Sequence, residues 1–268
     1  MNLVEWIVVG VIQGVFEWLP ASSQGVISLV LTQFFGQAPA EAVNSAVFLH
    51  SGTMLAALVY FSDEYMEIAR RIPSEISEWA SDPGAAYFRE TSLLEFLFVS
   101  TLLTGLVGGP IYLFLIDRLP NNPSLFAALV GASLVVTGLM QYFSGSEKRS
   151  EEDLSHKDSL LAGALQGLAI IPGVSRSGST LFGLFARDFD SGSAFRLSFI
   201  MSVPAVFVAQ ISIGLFENFS LSSGALIASL TAFIVGYISI EAVLEIAERV
   251  EVAYLCFALA VLSFLFAL

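Results

Sequence analysis

Apolar residues run through this chain in long blocks, and polar residues gather in short stretches between them. Residues 4–18 are apolar up to Pro20, residues 26–35 are apolar again, and Gly36 and Pro39 then turn the chain. Neither block reaches the roughly 20 residues that a helix needs to cross a bilayer. Together they predict a re-entrant helical hairpin over about 4–36 that enters and leaves on one side. Its Ser22-Ser23 tip belongs inside the protein, because irregular backbone at membrane depth needs protein or a wet cavity around it. Full-length spans are predicted at 42–61, 92–116 and 124–143, then a second hairpin at about 158–187, then spans at 194–216, 223–244 and 251–268. Between them, residues 62–91 carry Arg70, Arg71, Arg89 and seven acids, which predicts a loop with an interfacial helix around Trp79. Residues 117–123 read as a tight turn. Gly105 and Gly109 read as a small-xxx-small pair for close helix packing.

One pattern occurs twice. Residues 10–25 (GVIQGVFEWLPASSQG) and 163–178 (GALQGLAIIPGVSRSG) align at a constant offset of 153, matching Gly10 with Gly163, Gln13 with Gln166, Gly14 with Gly167, Ser22 with Ser175 and Gly25 with Gly178. Each copy is an apolar run, a proline break and a Ser/Gly cluster. The chain therefore divides into two halves of one structural domain, 1–150 and 151–268. Three spans, an odd number, separate the hairpins, so they enter from opposite faces. The predicted fold is an all-α polytopic membrane protein: six transmembrane helices plus two re-entrant helical hairpins in an inverted-topology repeat. Such broken helices mark a binding site at the repeat interface.

Composition sharpens this. The apolar fraction is 56%, charged residues are 13%, and mean hydropathy is +0.78, outside the range of soluble domains. The N-terminal apolar run lacks a basic flank and carries the repeated motif, so it reads as structure rather than as a signal peptide. The single cysteine, Cys256, lies in an apolar run; no intramolecular disulfide is open to it, and it reads as a buried core side chain. A net charge of −13 argues against nucleic acid as a partner. On the predicted layout Arg70, Arg71, Arg89, Lys148, Arg149, Lys157, Arg187, Arg196 and Arg249 share one face and Arg118 has the other. That bias makes the first face cytoplasmic and puts both termini on the outer side.

Arg176 belongs to neither face. It sits at the second tip, among Gly173, Ser175, Ser177, Gly178, Ser179 and Thr180. An ionisable group at membrane depth is costly and marks function, and arginine with hydroxyls at a helix start suits an anion, phosphate above all. Glu17 ends the first half-helix, and its repeat mate is Ile170, so the carboxylate is not shared scaffold. It reads as a general base, a ligand for a divalent cation bridging phosphates, or the ion partner of Arg176. Gln13 lies one turn earlier on the same face. Ser22 or Ser23 reads as a nucleophile or phosphate ligand. His50, mid-span, reads either as a hydrogen-bonded core residue or as an acid/base group. Without a His/Cys cluster a zinc site is not expected.

These residues carry a resemblance. The chain is similar over its whole length to the undecaprenyl-diphosphatase family, the membrane phosphatases linked to bacitracin resistance. The family's first motif, Glu/Gln-xxx-Glu followed by Pro and Ser-Ser, matches Gln13-xxx-Glu17, Pro20 and Ser22-Ser23; its second, Pro-Gly-x-Ser-Arg-Ser-x-x-Thr, matches Pro172 to Thr180; and a His-x-Gly-Thr stretch of many members matches His50 to Thr53. One departure stands out: where the family usually has Gly-His, this chain has Gly25-Val26. His50 or Glu17 is expected to cover the proton-transfer role of that histidine.

The resemblance implies a cell-membrane polyprenyl diphosphate phosphatase that recycles a lipid carrier. Arg176 with Ser175, Ser177, Thr180 and Gly173 would bind the diphosphate. Glu17 would act as base or hold Mg²⁺ or Ca²⁺, with Gln13 assisting. Ser23, or else Ser22, would attack the terminal phosphorus, with water as the alternative nucleophile. The expected partners are the polyprenyl diphosphate lipid, the surrounding membrane lipids and a second copy of the chain in a homodimer. The alternative is a polyprenyl-phosphate flippase or anion transporter, since duplicated broken helices are also transporter architecture.

Overall fold

The computed structural model describes residues 1–81, 91–115, 118–143, 149–216, 222–246 and 252–268. Arg89, Lys148, Arg249 and the start of the 117–123 turn lie outside them. The described residues form an all-α polytopic membrane protein.

The first hairpin region is α1 (Leu3–Phe16) and α2 (Ser23–Phe35). At 14 and 13 residues each rises only about 20 Å, short of the roughly 30 Å hydrocarbon core. Asn2 and Glu5 form a capping box that starts α1, and Gly36 ends α2 in the left-handed conformation. Then come α3 (Pro39–Tyr60), α4 (Ser62–Ser81), α5 (Leu93–Leu115) and α6 (Pro123–Tyr142). The second half has α7 (His156–Leu168), α8 (Arg176–Phe185), α9 (Ser191–Phe216), α10 (Ser223–Ile246) and α11 (Val252–Ala267).

One expectation needs correction. The polar stretch after residue 61 was expected to be a loop with an interfacial helix around Trp79; that helix is present but longer, running from Ser62 to Ser81, and residues 82–90 of the expected loop lie outside the described residues. Tyr65, Ile68, Ile72 and Ile76 recur at helical spacing, and Tyr65 and Ile68 pack against the core while Ile76 stays exposed. Of the six expected spans, five (α3, α5, α6, α9 and α10) are, among the described residues, helices long and apolar enough to cross a membrane. The sixth, α11, has 16 described residues, about 24 Å of helix.

The helices pair in a regular way. α1 lies along α10, α7 along α5, and α6 along α11. In the first two pairs the duplicated glycines allow the approach. A Cβ on Gly14 would stand 2.7 Å from Val235 Cβ, and one on Gly167 would stand 2.7 Å from Val107 Cβ. The Gly105–Gly109 pair behaves otherwise: a Cβ at either would meet nothing within 4 Å, and it is Gly108, on the neighbouring face, that touches Gly167.

The largest core gathers around the end of α1. Trp18 is fully buried, stacks at 5.0 Å on Phe199 and donates its indole N–H to Gly236 O at 2.9 Å. At one end of the bundle Asp158, fully buried, bridges Arg149 (2.8 Å) and Arg187 (2.6 Å). Arg196 there joins Glu64 and Glu151, both at 2.9 Å.

Candidate active site

The site forms where the two helix breaks meet. α1 stops at Glu17, whose backbone N–H still bonds Gln13 O; the chain then turns through Trp18, Leu19 and Pro20. Proline removes a donor and cannot continue the helix. Ser22 takes a left-handed backbone (φ 61°), and its hydroxyl caps α2 by accepting from Gly25 N–H at 3.3 Å. In the second copy Ser175 caps α8 in the same way, accepting from Gly178 N–H at 3.1 Å. The matched serines are thus matched N-caps, the usual work of serine at a helix start. The tips touch: a Cβ on Gly25 would stand 2.8 Å from Gly173 Cα. Gly173 needs its φ of 95°, which L side chains rarely adopt.

Capping leaves Ser23 and Arg176 as the first residues of α2 and α8. Both point at Glu17, a side chain only 3% exposed. Glu17 Oε1 accepts from Arg176 Nη2 at 2.7 Å. Its Oε2 accepts from Gln13 Nε2 and from Ser23 Oγ, each at 2.8 Å. His50 completes the group, with Nε2 3.2 Å from Glu17 Oε2 and 3.3 Å from Ser23 Oγ. The other ring nitrogen, Nδ1, is 2.7 Å from Ala46 O. A carbonyl only accepts, so Nδ1 carries a proton, and Nε2 is the atom free to exchange one with Ser23 or Glu17.

Arg176 is held on two sides. Nη1 donates to Ser198 O at 3.0 Å, while the buried Nε has no protein partner. Two of its five N–H donors are thus met by protein oxygens, and Arg176 lines a cavity of about 110 Å³ together with Glu17, Ser22, Ser23, His50, Ser175 and Ser177. Not every expected site residue faces this cavity. Gln13 sits behind Glu17 and also bonds Thr53 Oγ1 at 3.3 Å. Thr180 spends its hydroxyl on Arg176 O and on Ser198 Oγ, tying α8 to α9. Ser177 Oγ donates to Leu19 O at 3.1 Å, a direct bond between the two breaks. Gly173 and Val26 are not among the lining residues.

Three residues were not singled out from sequence. Gln24 is buried on the cavity wall, and its Nε2 has no partner. Its place beside Ser23 in the tip was the available signal. Ser198 and Thr137 act through bonds to the second tip, Thr137 accepting from Ser175 N–H and donating to Gly173 O. Nothing local distinguishes them from other hydroxyls in apolar helices. Among the described residues no group of three or more His, Cys, Asp or Glu could hold a metal ion. The cavity does offer one carboxylate beside hydroxyl and amide oxygens. That set fits a hard cation completing its coordination with water and phosphate oxygens, not zinc.

The bacitracin resistance protein BacA family matches residues 6–265. An undecaprenyl-diphosphatase of Methanococcoides burtonii is 38% identical over 265 residues, 99% of this chain and 98% of that one. Those of Haloarcula marismortui (36% identical; 93% of this chain, 92% of that one) and Methanothrix thermoacetophila (33%; 98% and 96%) are similar along equally complete lengths. The membrane helices, the paired breaks and these matches converge: the chain belongs to the bacitracin resistance protein BacA family.

Proposed function

We propose that this protein removes the terminal phosphate of a long-chain polyprenyl diphosphate of the undecaprenyl type, leaving the monophosphate carrier and inorganic phosphate. The observation that carries the reading is the contact of Ser23, Glu17, His50 and Arg176 across the two breaks, beside a cavity that Ser23, Glu17, His50 and Arg176 all line. The named activity of the relatives supports it.

Arg176 binds the diphosphate through N–H groups that Glu17 and Ser198 leave unused and offsets the charge that spreads over the phosphoryl oxygens in the transition state. Ser23 Oγ attacks the terminal phosphorus while its proton passes to Glu17 Oε2. The bridging P–O bond breaks, the polyprenyl monophosphate leaves, and water cleaves the phosphoserine. Direct attack by water with Glu17 as base is the other order, and trapping a phosphoserine separates the two. His50 Nε2 is in reach of both groups and takes the proton-transfer place that Val26 leaves empty. Glu17 would hold Mg²⁺ or Ca²⁺. When bound, such a cation supplies positive charge to the phosphate oxygens.

We further place the chain in the cell membrane as an inverted repeat, with both termini outside and the Asp158 end cytoplasmic. Equivalent packing of α1 on α10 and α7 on α5 by matched glycines supports this arrangement. The test is phosphate release by purified protein from a long polyprenyl diphosphate, with Mg²⁺ or Ca²⁺ and then with chelator, beside Arg176→Ala. Cation-dependent release that the variant lacks is expected. Lipid binding without any release would refute the phosphatase and favour a transporter.

A further inference from the structure

A second cavity, of about 220 Å³, lies between α5, α7 and α9. It shares Val47, Thr104, Gln166, Ile170, Ala205 and Ala209 with the wall of the polar cavity, so the two are continuous. Past that throat the lining turns apolar, with Gly105, Gly109, Leu113 and Val208. Gly105 is exposed, so the cleft opens sideways at α5. Gly105 and Gly109 support no helix contact, since a Cβ on either meets nothing within 4 Å. Glycine inside a helix is unfavourable against alanine, and here no packing partner accounts for it. Gln166 gives an independent sign of a ligand. It is 3% exposed, its Nε2 donates to Thr104 Oγ1, and its Oε1 has no partner although it stands at the throat of both cavities.

We infer that this cleft seats the prenyl chain next to the diphosphate, and that Gly105 and Gly109 set the width available to it. The inference rests on the proposed function for the identity of the chain. The headgroup lies at Ser23 and Arg176; the lipid leaves the polar cavity past Gln166, whose free carbonyl accepts from water or phosphate O–H at the boundary. The tail runs along the glycine face of α5 and reaches the bilayer at Gly105. A branched isoprenoid chain needs the volume that two missing side chains provide.

Gly105→Leu and Gly109→Leu test this, because both positions line the cleft and a Cβ at either meets nothing within 4 Å. Turnover of a long polyprenyl diphosphate is measured with wild type and both variants, together with inhibition by inorganic diphosphate, which probes the polar cavity alone. The expected result is a KM raised by about tenfold, the loss of one to two methylene-sized contacts, with kcat and the inhibition constant unchanged. Gly105→Ala and Gly109→Ala give a smaller shift in the same direction and serve if a leucine variant does not fold. An unchanged KM in folded variants overturns the inference, as does an inhibition constant that moves in step with KM. Wild-type release by itself tests the phosphatase reading, and the variant-to-wild-type ratio tests the cleft.

Discussion

Replacing Arg176 by lysine keeps one positive charge at the second tip and removes its fork. The guanidinium spans Glu17 Oε1 at 2.7 Å and Ser198 O at 3.0 Å and still has N–H donors left for a ligand. A single ammonium on a flexible stem does not hold all three directions. The contact with Glu17 is the one lysine retains, because leaving that buried carboxylate unpaired costs about 3–5 kcal/mol. What goes is the anchor on Ser198 and a fixed donor to phosphate. A hydrogen bond involving a charged group is worth about 1.5–3 kcal/mol, so one lost in the transition state lowers kcat/KM about 10- to 150-fold. Phosphate release measures this, and the thermal unfolding midpoint in detergent reports the fold. Arg176→Lys should unfold close to wild type, and Arg176→Ala well below it. Activity of the lysine variant within about threefold of wild type would show that charge alone suffices and would refute the role given to the fork.

Ser22→Gly should keep most activity, because Ser22 is a cap at φ 61° that glycine adopts freely and at a cost of only a few tenths of a kcal/mol. Ser23→Ala should abolish turnover, and equal rates for the two variants would contradict the assignment of Ser23. His50→Ala should lower kcat with little change in KM and alter the pH profile; full turnover would remove His50 from proton transfer. Asp158, in the first turn of α7 and outside the five long apolar helices, is pushed up by burial but held below the usual carboxylate range by hydrogen bonds from Arg149, Ser155 and Arg187. Its folded pKa is depressed, so the stabilisation is present above the unfolded value of about 3.9 and is lost as pH falls through the folded value. The gap in unfolding midpoint between wild type and Asp158→Asn should be wide at neutral pH and close in acid; a constant gap would refute the linkage.

The offset of 153 explains both how much of the site was legible and where its chemistry arose. Ser22 and Ser175 stayed alike because both cap a helix, and Gly14 and Gly167 because both admit a neighbouring helix. The residues proposed to react lie where the copies differ. Ser23 and Arg176 occupy equivalent first helical positions, and Glu17 stands opposite Ile170. A repeat that sets two half-helices tip to tip brings unlike side chains together, here a hydroxyl and a guanidinium on one carboxylate.

Block lengths, the proline breaks and the duplicated Ser/Gly clusters were determined by the sequence alone, because each depends on neighbours within a turn or two. A helix too short to span, a serine three residues before a glycine and an uncompensated charge in an apolar run can be read without long-range contacts. The pairing of His50 with Ser23, the burial of Gln24, the turning of Thr180 away from the cavity and the use of Gly105 and Gly109 as open space were decided only by tertiary structure. Those positions lie on separate helices, so what each side chain meets depends on how α3, α5 and α9 rotate about their axes against the two breaks. A lone histidine or a glycine pair reads the same in the sequence whether it faces a core, a cavity or lipid.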